Sequence, residues 1–279
     1  MQITNHVYST HIEEDPNTFG AMHPGGTQIY FVGDPSQNMV LIDSGENYRH
    51  WTDQILSYHG ELGSPPITDI YITHGHGDHI GGLDRLQEAF QCKVRCHPKL
   101  EPFLSHKLTH NKQNNIVQKL KSNEITTINN KISLKAVFTP GHEDDHVVYY
   151  LKQDKVLFSG DTILGNSTGS VRELDKYLAS LKKMLALKPD TICPGHGKTV
   201  KNASNRIQFY IHHRLEREAQ IIKAVKSGSL TIDEIVNYVY PKNLRSNLKN
   251  AAGRNVHTHI RKLINERTVS ETESTYHIV

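Results

Sequence analysis

The chain has 279 residues, of which 36% are hydrophobic and 22% charged, and its net charge is +3. That length accommodates one large domain with its own core plus a small appendage. A mean hydropathy of −0.54, and the lack of any run near the roughly 18 apolar residues that a bilayer span needs, exclude an integral helical membrane protein.

The first twenty residues hold no Lys or Arg and include Glu13, Glu14 and Asp15. A secretory signal needs a basic start and an apolar stretch, and a mitochondrial presequence needs arginines, so the expected compartment is the cytoplasm, with no membrane partner. Short runs rich in β-branched and aromatic residues then predict strands at Thr27–Val32, Met39–Asp43, Ile67–Thr73, Lys93–His97, Ile132–Phe138, Val147–Leu151, Val156–Ser159 and Thr191–Cys193. Helical spacing falls between them, at about 47–59, 80–90, 98–120 and 170–187. The single Trp51 lies on the first of these amphipathic helices and is read as packing. The alternation predicts an α/β fold of two sheets packed face to face with helices outside, although periodicity alone does not separate that from a doubly wound sheet.

After about residue 202 the composition changes. An amphipathic helix over Arg206–Val225 is followed by Ser227-Gly228-Ser229, by a helix Ile232–Val239 capped by the Thr231 hydroxyl, and by a third helix over Leu244–Glu266. Residues 268–279 alternate like a small hairpin. Two domains are therefore expected, 1–202 and 203–279, the second with the element order of a winged helix. Charge divides the same way. Residues 1–200 carry 19 basic and 22 acidic side chains, and residues 201–279 carry 13 and 7. A basic tail on a neutral-to-acidic body suits a polyanionic partner, and a solvated helix surface accounts for the charge equally well.

Metal-ligand chemistry is concentrated at strand ends. Tyr71-Ile-Thr-His74-Gly-His76-Gly-Asp78-His79-Ile-Gly-Gly82 places three imidazoles and a carboxylate within six residues, directly after an apolar strand. His74 and His76, two apart in extended chain, face one side, and Asp78 and His79 follow where the chain turns. Three further clusters repeat the plan of strand, glycine and ligand-type side chain: Pro140-Gly-His142, Ser159-Gly-Asp161 and Pro194-Gly-His196-Gly197. Neutral imidazoles and carboxylates suit zinc, with manganese or iron as alternatives. Three cysteines (Cys92, Cys96 and Cys193) do not make a disulfide framework, and no second pair completes a Cys92/Cys96 metal clip. Sequons at Asn166 and Asn202 carry no meaning without secretion.

The order His-x-His-x-Asp-His, Pro-Gly-His, Gly-Asp and Pro-Gly-His-Gly resembles the metallo-beta-lactamase superfamily over about residues 1–200. The resemblance implies a four-layer αββα sandwich with two Zn2+ ions. His74, His76 and His142 would hold the first, Asp78, His79 and His196 the second, and Asp161 would bridge them. It also implies catalytic roles for Asp78 and Asp161. Two divalent ions roughly 3.5–4 Å apart lower the pKa of a shared water toward neutrality and yield a bridging hydroxide for hydrolysis. His146, Glu143, Asp144 and Asp145 lie beside these motifs and are read as outer partners or solvated residues.

Thr139-Pro-Gly-His142-Glu-Asp-Asp-His146, Phe158-Ser-Gly-Asp-Thr-Ile-Leu-Gly165 and Tyr210-Ile-His-His-Arg214-Leu-Glu-Arg-Glu218 are similar to the beta-lactamase-like protein 2 family. This resemblance covers nearly the whole chain. It implies an endoribonuclease of single-stranded RNA with a C-terminal winged-helix-like domain, and by family it admits the mitochondrial matrix. Gly75 and Gly77 depart from it, since relatives commonly carry bulkier residues there, which alters the pocket wall. Phosphate contacts are expected from Arg245, Lys249, Arg254, Arg261 and Lys262. A second basic stretch, Lys93–Lys121, with His97, Phe103, His106 and His110, is either a base-stacking surface or an exposed helix and loop. The alternative enzyme is a thioester hydrolase of glyoxalase II type, acting on a small thioester or an acyl-carrier protein. A lactamase and a non-catalytic nucleic-acid adaptor are weaker alternatives.

Overall fold

A computed structural model describes residues 1–13, 25–108, 115–129, 131–244, 246–272 and 275–278, with the side chains of Ser246 and Asn247 left aside. The chain opens with β1 (Gln2–Thr4), β2 (Val7–Ile12), β3 (Thr27–Gly33) and β4 (Met39–Ile42). It then runs through α1 (Arg49–Glu61), β5 (Ile67–Tyr71), α2 (Gly77–Ile80), α3 (Leu83–Phe90), β6 (Lys93–Cys96), α4 (Glu101–Lys107) and β7 (Val117–Lys119). These seven strands form one sheet in chain order, antiparallel as far as β4 and parallel from β4 to β7. Next come β8 (Ile125–Ile128), β9 (Ile132–Phe138), β10 (Val147–Leu151), β11 (Val156–Gly160), α5 (Leu174–Ala186), β12 (Thr191–Pro194) and β13 (Val200–Lys201), and their sheet has the order β13-β12-β11-β10-β9-β8.

The inner faces of the two sheets share one core. Tyr30, Val32, Ile42 and Tyr71 from the first meet Ala136, Tyr149, Leu151 and Phe158 from the second, all buried. Tyr30 packs edge-on to Phe158 at 5.2 Å and Tyr71 to Tyr149 at 5.3 Å. Burying each such ring contributes on the order of 1.5–3 kcal/mol. The outer faces are covered by α1 and α3 on one side, through Trp51, Ile55, Leu83 and Leu86, and by α5 and α6 (Ala203–Lys226) on the other. The layers are therefore αββα, as expected, and Trp51 packs in the core with 3% exposure.

The helix α6 belongs to two cores. Ala203, Ile207 and Tyr210 pack on the second sheet, whereas Ile221, Ala224 and Val225 pack with α7 (Ile232–Val239), α8 (Ser246–Asn265) and the hairpin β14 (Val269–Thr272) and β15 (Thr275–Ile278). The composition change near residue 202 thus marks the start of a helix shared by both units. Thr231 caps α7 as expected: its hydroxyl accepts from the Glu234 N–H, and Glu234 reaches back to the Thr231 N–H.

One expected element differs. Of the helix expected over 98–120, the described residues form α4, and Val117–Lys119 pairs in parallel with β6 instead. A free parallel edge beside β6 takes up the β-branched Ile116-Val117, and strand pairing there overrides the helical spacing. Residues 109–114, with His110 and Lys112, lie outside the described residues, as does Arg245. The strands β1, β2, β7, β8 and β13 were not expected. No helix among the described residues is long and apolar enough to cross a membrane.

Candidate metal centre

The two sheets are stitched together at the end where the ligands emerge. Val147 N–H donates to Thr73 O at 2.7 Å, Gln28 N–H donates to Gly195 O at 2.8 Å, and Thr27 bridges His196. His74 and His76 follow β5, Asp78 and His79 lie on α2, His142 follows β9, Asp161 follows β11 and His196 follows β12. All seven side chains expected as ligands converge. His74, His76, His142 and Asp161 form one group and Asp78, His79 and His196 another, with ligand atoms in each group within 4.8 Å of one another. Asp161 spans both groups. Its Oδ1 lies 3.4 Å from Nε2 of His79 and of His196, and its Oδ2 lies 3.8 Å from His142 Nε2. Asp78 Oδ2 lies 2.9 Å from His196 Nε2 and 3.3 Å from His79 Nε2.

Each imidazole is oriented by a partner on its other nitrogen. His79 Nδ1 donates to Asp43 Oδ2 at 2.7 Å, and His142 Nδ1 donates to Ser170 O at 2.9 Å. The Thr73 hydroxyl gives its proton to Asp43 and so accepts from His74 Nδ1 at 3.1 Å. His196 Nδ1 contacts the Thr27 hydroxyl at 3.1 Å. His76 alone is turned round: Glu143 takes its Nε2 hydrogen at 2.7 Å, which leaves Nδ1 for a metal. With these partners in place, Nε2 of His74 and His142 is buried without a hydrogen bond. Buried lone pairs left over in this way are costly unless an ion takes them. Gly195 supports the same reading, since a Cβ there would lie 2.7 Å from Asp161 Oδ1 and 2.8 Å from His79 Cε1. The donor set fits a divalent metal of the zinc type.

Electrostatics divide the imidazoles into two kinds. Burial lowers His74 and His142 below the ordinary imidazole value, which keeps them neutral as ligands require. Burial alone would raise Asp78 and Asp161, but the imidazoles of His79 and His196 outweigh it and hold both carboxylates ionised. Burial would likewise lower His196, yet Asp161 and Asp78 raise it to about 9. His146, also buried and neutral, is not among the ligands. Its Nε2 accepts from the Asp161 N–H at 3.2 Å, and its Nδ1 contacts the Thr139 hydroxyl at 3.0 Å. His146 and Glu143 are thus the outer partners expected of that loop. Asp144 is exposed, bound to Lys99 and Lys176.

Sequence reasoning missed Asp43, Thr27 and Ser170. It also missed the device that holds the loop between Asp161 and Ser170. Three residues of α6 at four-residue spacing clamp it. Arg206 donates to Leu164 O and Gly165 O (3.0 and 3.1 Å), Tyr210 donates to Ser167 O (2.5 Å), and the buried Arg214 donates to Gly169 O (3.0 Å). Tyr177 donates to Thr162 O on the near side, and Thr258 of α8 donates to Val171 O at 3.2 Å on the far side.

The other expected site residues separate into engaged and open. Lys262 is bound to Glu218 at 2.9 Å and Glu266 at 2.8 Å, with a tenth of its side chain exposed, so it does not face solvent as a phosphate contact would. Lys249, Arg254 and Arg261 are exposed. In the Lys93–Lys121 stretch, Arg95 pairs with Asp69, Lys99 with Asp144 and Lys119 with Glu101, and His97 is buried against Phe138. His97 is thereby removed as a stacking ring, whereas Phe103 and His106 are exposed. Cys92, Cys96 and Cys193 are buried free thiols outside the ligand groups. A concavity of about 1060 Å³ beside Gly26 and Lys198 is lined by none of the seven ligands.

Comparison with known proteins gives the same picture. Residues 23–196 match the metallo-beta-lactamase superfamily, and residues 231–276 match the beta-lactamase associated winged helix domain. The chain is 32% identical to a beta-lactamase-like protein 2 homolog of Drosophila melanogaster over 277 residues, covering 91% of this chain and 87% of that one. It is 27% identical to an atrochrysone carboxyl ACP thioesterase of Paecilomyces divaricatus, covering 81% and 70%. In fold it is similar to the crystal structure of a beta-lactamase domain protein from Burkholderia ambifaria, with a TM-score of 0.81 at 18% identity over 100% and 93% of the two chains.

Proposed function

The chain belongs to the metallo-beta-lactamase superfamily, and from that premise we propose that it is a two-metal endoribonuclease of single-stranded RNA. Hydrolase chemistry follows from the family and the His/Asp cluster. The choice of RNA rests on one observation: Lys249, Arg254 and Arg261 stand exposed on α8 of the winged-helix domain, and among the described residues no ion pair engages Arg254 or Arg261. Such cations stay hydrated and available, and a chain of phosphates is the partner they fit.

His74, His76 and His142 would hold one ion and Asp78, His79 and His196 a second, with Asp161 between them. Bound there, the ions supply Lewis acidity and ionise a water near neutral pH. Asp78, kept ionised by its imidazole neighbours, is placed to accept the proton of the attacking water. His146 fixes the Asp161 backbone, and Asp43, Thr73, Ser170 and Glu143 keep the imidazoles aimed without rearrangement during the reaction. This inventory hydrolyses any ester that reaches it, so the surface decides the substrate.

A second reading, an acyl-carrier thioesterase, is favoured by the likeness to the Paecilomyces enzyme, and a basic surface also suits an acidic carrier. Zinc-loaded protein offered single-stranded RNA and an acyl thioester side by side separates the two. RNA turnover that disappears in Asp78→Ala is expected, whereas intact RNA beside rapid thioester turnover would establish the thioesterase instead.

A further inference from the structure

The cations of α8 do not stand alone. Four concavities follow one another from the winged-helix domain to the metal centre. The first, about 500 Å³ between α7 and α8, is lined by Asn237, Lys249 and Arg254. The second, also about 500 Å³, shares Arg254 and adds His257, Arg261 and Arg172. The third, about 370 Å³, shares Arg172 and Arg261 and reaches Glu143. The fourth, about 210 Å³, shares Arg172 and Glu143 and is bounded by Gly75, Leu100, Phe103 and the metal ligand His76. Arg172 lines three of the four. We propose that this series is the track of the RNA strand, with Arg172 handing the backbone from the winged-helix domain to the metal centre. The proposal rests on the endoribonuclease reading and adds the route.

Charge along the track supports it. Arg254, His257 and Arg261 recur at helical spacing on one exposed face of α8, and Arg254 and Arg261 lie about 10 Å apart along the axis. That separation lets them address different phosphates of an extended chain. Three of the acids on the track are already paired, Asp144 with Lys99 and Lys176, Glu173 with Lys176, and Glu143 with His76 and Arg172, while Asp233 and Asp145 line its two ends. Arg172 is held by Glu143 Oε1 at 2.7 Å while 71% of its side chain remains exposed, so it is oriented and still offers donors outward. His76 is the most exposed of the seven ligands and forms the open rim of the centre.

The last concavity takes a base. Phe103 is 56% exposed beside it and offers a ring for stacking. A Cβ at Gly75 would lie 2.9 Å from both Leu100 Cδ1 and Asp145 Oδ2, so the missing side chain is what keeps this pocket open. A run of narrow hollows with a cation at each step fits an extended polyanion. The surface of a folded acidic protein would need a broader face.

The test uses full-length, zinc-loaded protein carrying Arg254→Ala with Arg261→Ala, two residues far from the ligands. The double variant and the wild type are each offered single-stranded RNA of about 20 nucleotides and bis(p-nitrophenyl) phosphate, which is too small to reach α8. The expected result is a KM for RNA raised tenfold or more, unchanged turnover of the small diester, and a salt dependence of log K shallower by about 1.4, two contacts at about 0.7 each. RNA cleavage and salt slope equal to wild type would overturn the track while leaving the endoribonuclease reading intact. A wild-type protein that cleaves the small diester and a carrier thioester but no RNA would overturn both.

Discussion

Two helices of the C-terminal region each carry arginines about two turns apart and use them in opposite ways. On α6, Arg206 and Arg214 flank Tyr210, and the three together reach inward to four carbonyls of the loop that ends at Ser170. On α8, Arg254 and Arg261 flank His257 on an exposed face, and among the described residues no ion pair engages either. Burial makes the difference. A guanidinium removed from water must find acceptors within the fold, and the irregular loop 164–170 has unpaired carbonyls to offer. A guanidinium left in water keeps its hydration and its long-range field, which makes it a contact for a soluble partner. One helix therefore shapes the metal centre from behind, and the other marks an approach to it from the front.

The largest effect should come from the inward helix. Arg214→Leu leaves the Gly169 carbonyl without its donor and frees the segment whose Ser170 carbonyl aims His142. A loss of about 1–3 kcal/mol in stability is expected, together with a 10- to 100-fold loss in metal affinity, the usual cost of removing an outer partner. Denaturant unfolding and zinc per chain at limiting metal measure the two. Retention of both ions at wild-type affinity would show that α6 does not shape the centre.

An intermediate effect distinguishes the regions by the variable each responds to. In the metal-free centre, burial alone would lower His196, but Asp161 and Asp78 raise it from 6.5 to about 9. A raised folded-state pKa stabilises fully below the unfolded value, and that contribution fades as pH climbs through about 9. Zinc needs the neutral ring, so binding at pH 7 displaces this proton, and apparent affinity should rise as pH climbs above 7. Calorimetry in buffers of different ionisation heat should report at least one proton released per binding event at pH 7. RNA affinity over the same range should follow salt instead, because guanidinium stays charged throughout. Zinc binding that released no proton would contradict the charge state assigned to His196.

How much of this was legible in the sequence depended on whether the signal was local. The ligands announce themselves because imidazoles and carboxylates crowd together beside glycines at strand ends. Ile132–Phe138 and Val147–Leu151 appear with their expected bounds because both are buried on the sheet interior. Asp43, which orients His79 from the end of β4, is a lone acid whose partner is 36 residues away and is known only once β4 and β5 are neighbours. Ser170 acts through its carbonyl, which no side chain signals. Strands such as β8, Ile125–Ile128, lie at a sheet edge with half-exposed faces, so their apolar pattern is thin. Helical spacing showed where α6 and α8 run, and it carried no information about which face of each was covered.

Adjacent residues of α8 give the smallest and most discriminating test. Arg261 and Lys262 are consecutive, and on a helix consecutive residues point about 100° apart. The turn takes Arg261 to the open face and Lys262 to Glu218 and Glu266, where its ammonium is held at 2.9 and 2.8 Å. Arg261→Ala should reduce the salt slope of RNA binding by about 0.7 and leave stability unchanged. Lys262→Ala should do the reverse, with the slope preserved and stability down by about 1–3 kcal/mol as the shielded Glu218 carboxylate loses a partner. Both variants carry the same change in net charge, so a non-specific electrostatic effect would move the two slopes equally. Equal slopes would mean that the protein's overall field attracts RNA. Divergent slopes would place the contact on one face of α8.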